Sequence, residues 1–237
     1  MIIDGLADFD PRERFEPEEL FELGNIDTTI TDLDMFASDW VEQAAKKVDA
    51  VEGDTYVKLN RGILTVTQID ALLDSIPLEF SYIDNNNQFI YYNNKKDTTE
   101  MWAPSKPESV GQPLGTLHPE KITNYARMMI QQLRAGKTDV VRIGHSTADG
   151  EQFLVHNYQR MQDKEENYLG VNEYVTDLKP IIEWYLKQTN QKLVPNDEKD
   201  TLSNAMPIDG VSGATKKPIS HNHVDADAVS SASVKPY

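Results

Sequence analysis

The sequence predicts an α+β fold: a five-stranded antiparallel sheet with helical cover, one face of which is open to a ligand. Three observations carry this. Residues 78–93 alternate as two β-rich runs around an asparagine cluster, residues 119–133 have the periodicity of a long amphipathic helix, and three further β-rich runs fall between 138 and 176. The resulting order of helix, two strands, helical crossing, three strands and helix is that of an α+β sandwich.

Taken along the chain, the first element expected is a short helix at Pro17–Leu23, with proline and acidic residues in its first turn and Gly24 ending it. Asp32–Val51 follows as an amphipathic helix, with Met35, Phe36, Trp40, Val41, Ala44, Ala45 and Val48 on one face; the core of the following domain, the favoured choice, and a partner subunit are the two candidates to cover it. Thr65 and Gln68 form a capping-box pattern that opens a helix with Ile69, Leu72, Leu73 and Ile76 on one side, and Pro77 stops it. Leu78–Asp84 and Gln88–Asn93 form a hairpin about Asn85, Asn86 and Asn87. Residues 93–117 are punctuated by proline and glycine and are expected as short helices and loops. Pro119–Leu133 is the long helix, with Ile122, Tyr125, Met129, Ile130 and Leu133 on its apolar face and Gly136 beyond its end. Strands are expected at Thr138–Thr147, Glu151–Gln162 and Tyr168–Thr176, joined by turns at Asp149-Gly150 and Asp163–Asn167. A last helix spans Asp177–Lys192. The domain organisation is thus an acidic, partly helical segment over 1–57, a folded domain with flanking helices over 58–192, and a flexible tail over 193–237.

Composition narrows the function classes. The net charge is −16, and residues 1–60 contribute −11 of it, a field that repels phosphate backbones and anionic lipid heads. Neither nucleic acid nor membrane is therefore expected as a partner. Cysteine is absent, which removes disulfides, thiolate-ligated metals and a thiol nucleophile. The N-terminus lacks the basic and apolar regions of a secretory signal, and no apolar run approaches the roughly 20 residues of a spanning helix, so a cytoplasmic location is expected.

The segment Leu78-Glu-Phe-Ser-Tyr-Ile-Asp-Asn-Asn-Asn-Gln-Phe-Ile-Tyr-Tyr-Asn resembles the opening of a PAS domain. Val110-Gly-Gln-Pro-Leu-Gly-Thr-Leu-His resembles the approach to the long PAS helix, and Tyr168-Leu-Gly-Val-Asn-Glu-Tyr-Val-Thr-Asp the last PAS strand. With Arg61–Pro77 upstream, the pattern is similar to bacterial proteins in which a hemerythrin-like helical bundle precedes a PAS domain. Residues 1–57 contain no histidine, so a di-iron site does not carry over. The resemblance implies a sensory domain that binds a small-molecule ligand and signals through protein contacts. The acidic N-terminal segment and the helix after Asp177 are the expected surfaces for signalling or for a homodimer.

Within that domain His118, just ahead of the long helix, is the candidate to ligate haem iron or to hydrogen-bond a small anion; its plainer role is to cap the helix before Pro119. His145 and His156 sit in strands and are expected to face solvent or satisfy a local hydrogen bond. Among Tyr82, Phe89, Tyr91, Tyr92, Trp102, Phe153 and Tyr158, some would stack on a planar ligand and most are core. No catalytic constellation stands out, and an enzyme is the less favoured expectation.

The tail contains Asp209-Gly-Val-Ser-Gly-Ala-Thr215, which resembles the motif at which a flavin transferase attaches FMN through a phosphoester to the final threonine. The resemblance implies Thr215 as the attachment residue, with Asp209, Ser212, Gly213 and Ala214 as recognition positions. Asp227-Ala-Val-Ser-Ser-Ala-Ser233 is a weaker second copy. The alternative function is accordingly a redox carrier with a flavin transferase and a redox protein as partners. His221 and His223 lack the third ligand a metal site needs.

Overall fold

The computed structural model describes residues 2–4, 20, 29–93, 96–118 and 120–194. In chain order these form β1 (Ile2–Asp4), α1 (Trp40–Lys47), β2 (Tyr56–Leu59), β3 (Gly62–Thr65), α2 (Val66–Ser75), β4 (Glu79–Asp84) and β5 (Phe89–Tyr92). Then come α3 (Glu120–Arg134), β6 (Val140–Ser146), β7 (Phe153–Gln162), β8 (Tyr168–Asp177) and α4 (Lys179–Thr189), with 3-10 turns at Pro107–Ser109 and Leu114–Leu117 before α3.

The main sheet is antiparallel throughout, in the order β1-β6-β7-β8-β4-β5. Its five principal strands are those expected. The sixth, β1, was not anticipated: residues 2–4 pair with Arg142–Gly144 and cover an edge that would otherwise expose unpaired backbone groups. The hairpin of β2 and β3 is also new, and residues 62–65 are its second strand, so Leu64 and Thr65 are extended before the helix begins. The capping box is present at that point: Thr65 Oγ1 accepts from Gln68 N at 3.1 Å and Gln68 Oε1 accepts from Thr65 N at 2.9 Å.

Local chemistry fixes the turns. Asp84 Oδ1 accepts from Asn86 N and Gln88 N at 2.9 and 2.8 Å, and Asn87 takes a left-handed φ of 64°, which asparagine tolerates. Asp163 Oδ1 does the same for Glu165 N and Asn167 N, both at 2.9 Å. Gly136 and Gly150 supply the positive φ that ends α3 and turns β6 into β7. At the far end Asn190, left-handed at φ 53°, closes α4.

The N-terminal helix is shorter than the apolar periodicity implied. Asp32 has a φ of 58°, and Asp34 Oδ1 accepts from Phe36 N, so this acidic stretch makes local turns instead of a helical ladder. Only Trp40 and Ala44 of the expected face are buried; Phe36, Val41, Ala45 and Val48 are exposed. Packing of this segment on the domain is as expected. Trp40 lies against Gly111, where a Cβ would meet its indole at 2.3 Å. Thr29 Oγ1 donates to Asp84 Oδ2 at 2.7 Å, and the Gln88 side chain bonds Ile30 N and O at 3.2 and 2.9 Å. The expected helix at Pro17–Leu23 lies outside the described residues except for Leu20, which is buried and whose carbonyl accepts from Gly115 N.

The core lies between α3 and the inner face of the sheet. Ala126, Met129, Ile130 and Leu133 project from one side of the helix onto Val141, Val171 and Ile83. No helix among the described residues is long and apolar enough to cross a membrane.

Candidate functional site

Strand pleating places alternate residues on one face. The antiparallel register aligns Val141, Ile143 and His145 of β6 with Tyr158, His156 and Leu154 of β7, and then sets Tyr158 and His156 opposite Glu173 and Val175 of β8. Ser81 and Ile83 of β4 complete the face opposite Glu173 and Val171. The centre of an otherwise apolar inner face thus carries two imidazoles, a phenol and a carboxylate.

These groups are bonded to one another. His156 Nδ1 lies 3.0 Å from Glu173 Oε1, diagonally across the β7–β8 ladder, and Tyr158 sits directly opposite Glu173 in the register. His145 stacks on His156, with ring centroids 5.5 Å apart and planes 22° from parallel. Burial pushes the Glu173 carboxyl up, but the hydrogen bond and charge of His156, the charge of His118 and the Tyr158 hydroxyl together hold it below its ordinary value. Burial, followed by the charge and hydrogen bonding of Glu173, pushes the Tyr158 phenol well up. Burial and the neighbouring His156 lower His145.

Above this cluster lies a cavity of about 370 Å³. Ile83, Ile143, Tyr158 and Glu173 form its floor, His145 and His156 one flank, and Tyr125 of α3 the opposite side. Leu114, Leu117, His118, Phe89 and the segment Trp102–Ser105 complete the lining. A smaller lobe of about 50 Å³ runs on beneath α3, lined by Ala126, Met129 and Ile130. The larger volume falls toward the lower end of the roughly 300–1,000 Å³ typical of small-molecule pockets.

The wall at Trp102–Ser105 is fastened from below. Glu79, at the start of β4, is buried with its side chain 3% exposed, and its Oε2 accepts from Trp102 N at 2.7 Å and Ala103 N at 3.1 Å. Its Oε1 makes no well-aligned hydrogen bond and is met by the Lys96 ammonium at 3.2 Å, an ionic contact. The same ammonium sits 3.8 Å from the centre of the Trp102 ring.

His118 lies at the cavity as its sequence position suggested. Its Nδ1 is 3.2 Å from the Leu114 carbonyl, which can only accept, so Nδ1 carries the proton and Nε2 is left for another partner. Of the aromatic candidates, Phe89, Trp102 and Tyr158 line the cavity, whereas Tyr82, Tyr91, Tyr92 and Phe153 do not. His145 and His156 face the cavity, and His156 also makes the local bond expected of it. Glu173 is not singled out in the sequence; its signal is a carboxylate inside the alternating run 168–177, two residues from both Val171 and Val175 on the buried face. Thr215, Asp209, Ser212, Gly213 and Ala214, and the copy ending at Ser233, lie outside the described residues. Among the described residues no group of three or more ligating side chains is placed to hold a metal ion.

A family model described as a PAS domain matches residues 69–179. Among solved structures, the chain is similar to a C-terminal domain from Streptococcus mutans at 28% identity and a TM-score of 0.53, over 56% of this chain and 99% of that one. The PAS domain of a Colwellia psychrerythraea protein is similar at 16% identity, over 48% and 97% of the two chains, with a TM-score of 0.36. A sensory box sensor histidine kinase from Vibrio cholerae is similar at 12% identity, over 47% and 87%, with a TM-score of 0.32. No curated protein matches the chain.

Proposed function

Residues 69–179 of this chain are a PAS domain, and on that premise we propose that the protein is a sensor that takes a small ligand between α3 and the sheet and reports it through protein contacts. The observation that supports this is the cavity of about 370 Å³ with His118, His145, His156, Tyr158 and Glu173 converging on an apolar wall. A few polar groups on an apolar lining is the composition of a small-molecule site. The reporting surfaces are α4, which continues directly from the strand that carries Glu173, and the N-terminal segment held by Asp84 and Gln88. Exposed Ile181, Trp184 and Tyr185 give α4 apolar area to offer a partner or a second copy.

The test is native mass spectrometry of the chain from its own host, together with amide spectra recorded against a small-molecule library. A released small molecule, or shifts concentrated at His118, Ile143, His156 and Glu173, is the expected result. Leu117→Trp, which fills the larger lobe, should abolish either effect while the fold is retained. Neither a bound species nor a cavity-centred shift would overturn the proposal.

Two cofactor readings are alternatives that the same preparation tests. Covalent FMN at Thr215 would add its mass to the tail and give flavin absorption. Haem held by His118 Nε2 would give a Soret band; the anchored ring suits an axial ligand, although the cavity volume favours a smaller group.

A further inference from the structure

We propose that the ligand of this cavity is a small protonated amine on an aromatic or aliphatic body, received by the Glu173 carboxylate with the His118 and His156 rings beside it. The inference rests on the cavity being the ligand site proposed above. It follows from asking which protons on the wall are already committed. The His156 Nδ1–H goes to Glu173, and the His118 Nδ1–H goes to the Leu114 carbonyl. An ionised carboxylate has about four acceptor positions, of which His156 uses one. Glu173 therefore keeps acceptor capacity at the cavity for a donor that the ligand would bring.

Charge points the same way. The titratable groups facing the space are His145 from β6, His156 and Tyr158 from β7, Glu173 from β8, His118 ahead of α3 and Tyr125 from α3. The hydrogen bond from His156 and the nearby imidazoles favour ionised Glu173. His145 stacks on His156 at 5.5 Å, and burial presses His145 toward the neutral form. Among the described residues Glu173 is the one acidic side chain on the cavity lining, so its carboxylate is the negative charge a ligand meets there. Phe89 adds a π face that favours a cation, and the net charge of −16 attracts one from solution. An anion would face the Glu173 carboxylate across a partly buried site, and acidification, which adds positive charge to imidazoles, works in its favour. The two ligand classes therefore have opposite pH dependence.

Three probes share one ring and differ in charge: tyramine, 4-ethylphenol and 4-hydroxyphenylacetate. Each is titrated calorimetrically into the full chain at about pH 8 and about pH 5, on either side of the ordinary imidazole range. Tyramine is expected to bind at least ~10-fold more tightly than 4-ethylphenol, the scale of a hydrogen bond to a charged group. No binding of 4-hydroxyphenylacetate is expected at the higher pH, and tyramine affinity should fall on acidification. Glu173→Gln should erase the preference for tyramine over 4-ethylphenol; the wild-type series decides the matter if that variant does not fold. Preference for 4-hydroxyphenylacetate, affinity that rises on acidification, or equal binding of tyramine and 4-ethylphenol would overturn the amine class and leave the cavity as a ligand site. Failure of all three probes to bind at millimolar concentration would overturn it too, with the library spectra judging the cavity separately.

Discussion

Removal of the Glu79 carboxylate should loosen the cavity wall at Trp102–Ser105 at a cost that can be worked from its contacts. In Glu79→Ala the amides of Trp102 and Ala103 lose a charged acceptor at 2.7 and 3.1 Å, and Lys96 loses its counter-ion. Hydrogen bonds to charged groups contribute about 1.5–3 kcal/mol each, and water can reach these half-buried amides to recover part of that. Lys96, with its side chain 35% exposed, adds less than about 1 kcal/mol. The net loss should be about 3 kcal/mol in urea denaturation followed by far-UV circular dichroism. Glu79→Gln keeps an oxygen for the two amides and should lose about half as much. Because Lys96 stacks on Trp102, indole emission should change in the folded state of Glu79→Ala before any unfolding. A stability loss below about 0.5 kcal/mol, within the ordinary surface range, together with unchanged emission would refute the reasoning.

Two further perturbations test other parts of the fold. Gly170 holds a φ of 129° in β8, and a Cβ there would lie 2.0 Å from the Ile83 carbonyl oxygen, so Gly170→Ala should destabilise by about 3 kcal/mol and show loss of β4–β8 amide protection; wild-type protection would contradict the packing. Stability should also decline on acidification in two stages. His145 has a lowered folded pKa, so the unfolded chain takes the proton first and stability begins to fall below the ordinary value of 6.5. Glu173 is likewise lowered, so its contribution is present above the ordinary 4.5 and disappears as pH falls through the folded value. Asp97, Asp149 and Asp163, held down by hydrogen bonds from Thr99, Thr147 and Asn167, act in the direction of Glu173. His145→Gln should remove the first stage from the denaturation midpoint plotted against pH, and an unchanged profile would disprove its assignment.

The parts of the fold that the sequence made legible are those whose cause is local. The Thr65–Gln68 capping box, the Asx turn at Asp84–Gln88 and the glycines after α3 and β6 each act through residues a few positions apart, and each appears where expected. The parts that escaped depend on distant partners. Ile2–Asp4 becomes a strand because β6 presents an open edge nearly 140 residues later, and nothing within those three residues announces it. The N-terminal helix is shorter than its apolar spacing implies because the aspartates of this stretch bind the backbone locally, as Asp34 does to Phe36.

The candidate site shows the same division more sharply. His118 could be singled out because its place before a long helix is a sequence property. His156 and Glu173 lie in different strands and become partners only through register: Tyr158 opposes Glu173, so His156, two residues back on the same face, reaches the carboxylate diagonally. A slip of one residue between β7 and β8 would send every member of the cluster to the other face. Register itself is fixed by the Asp163 turn, whose carboxylate gathers Glu165 N and Asn167 N, and by Val171 and Val175, both fully buried beside Glu173. The apolar residues that hold the sheet on α3 therefore also aim its polar groups, and the chemistry of the cavity is a consequence of strand pairing rather than of any motif. For that reason a substitution such as Val175→Thr, far from the ring nitrogens, is expected to disturb ligand binding through the His156–Glu173 geometry, whereas a change on the exposed face of α4 is expected to leave binding intact and alter only what is reported.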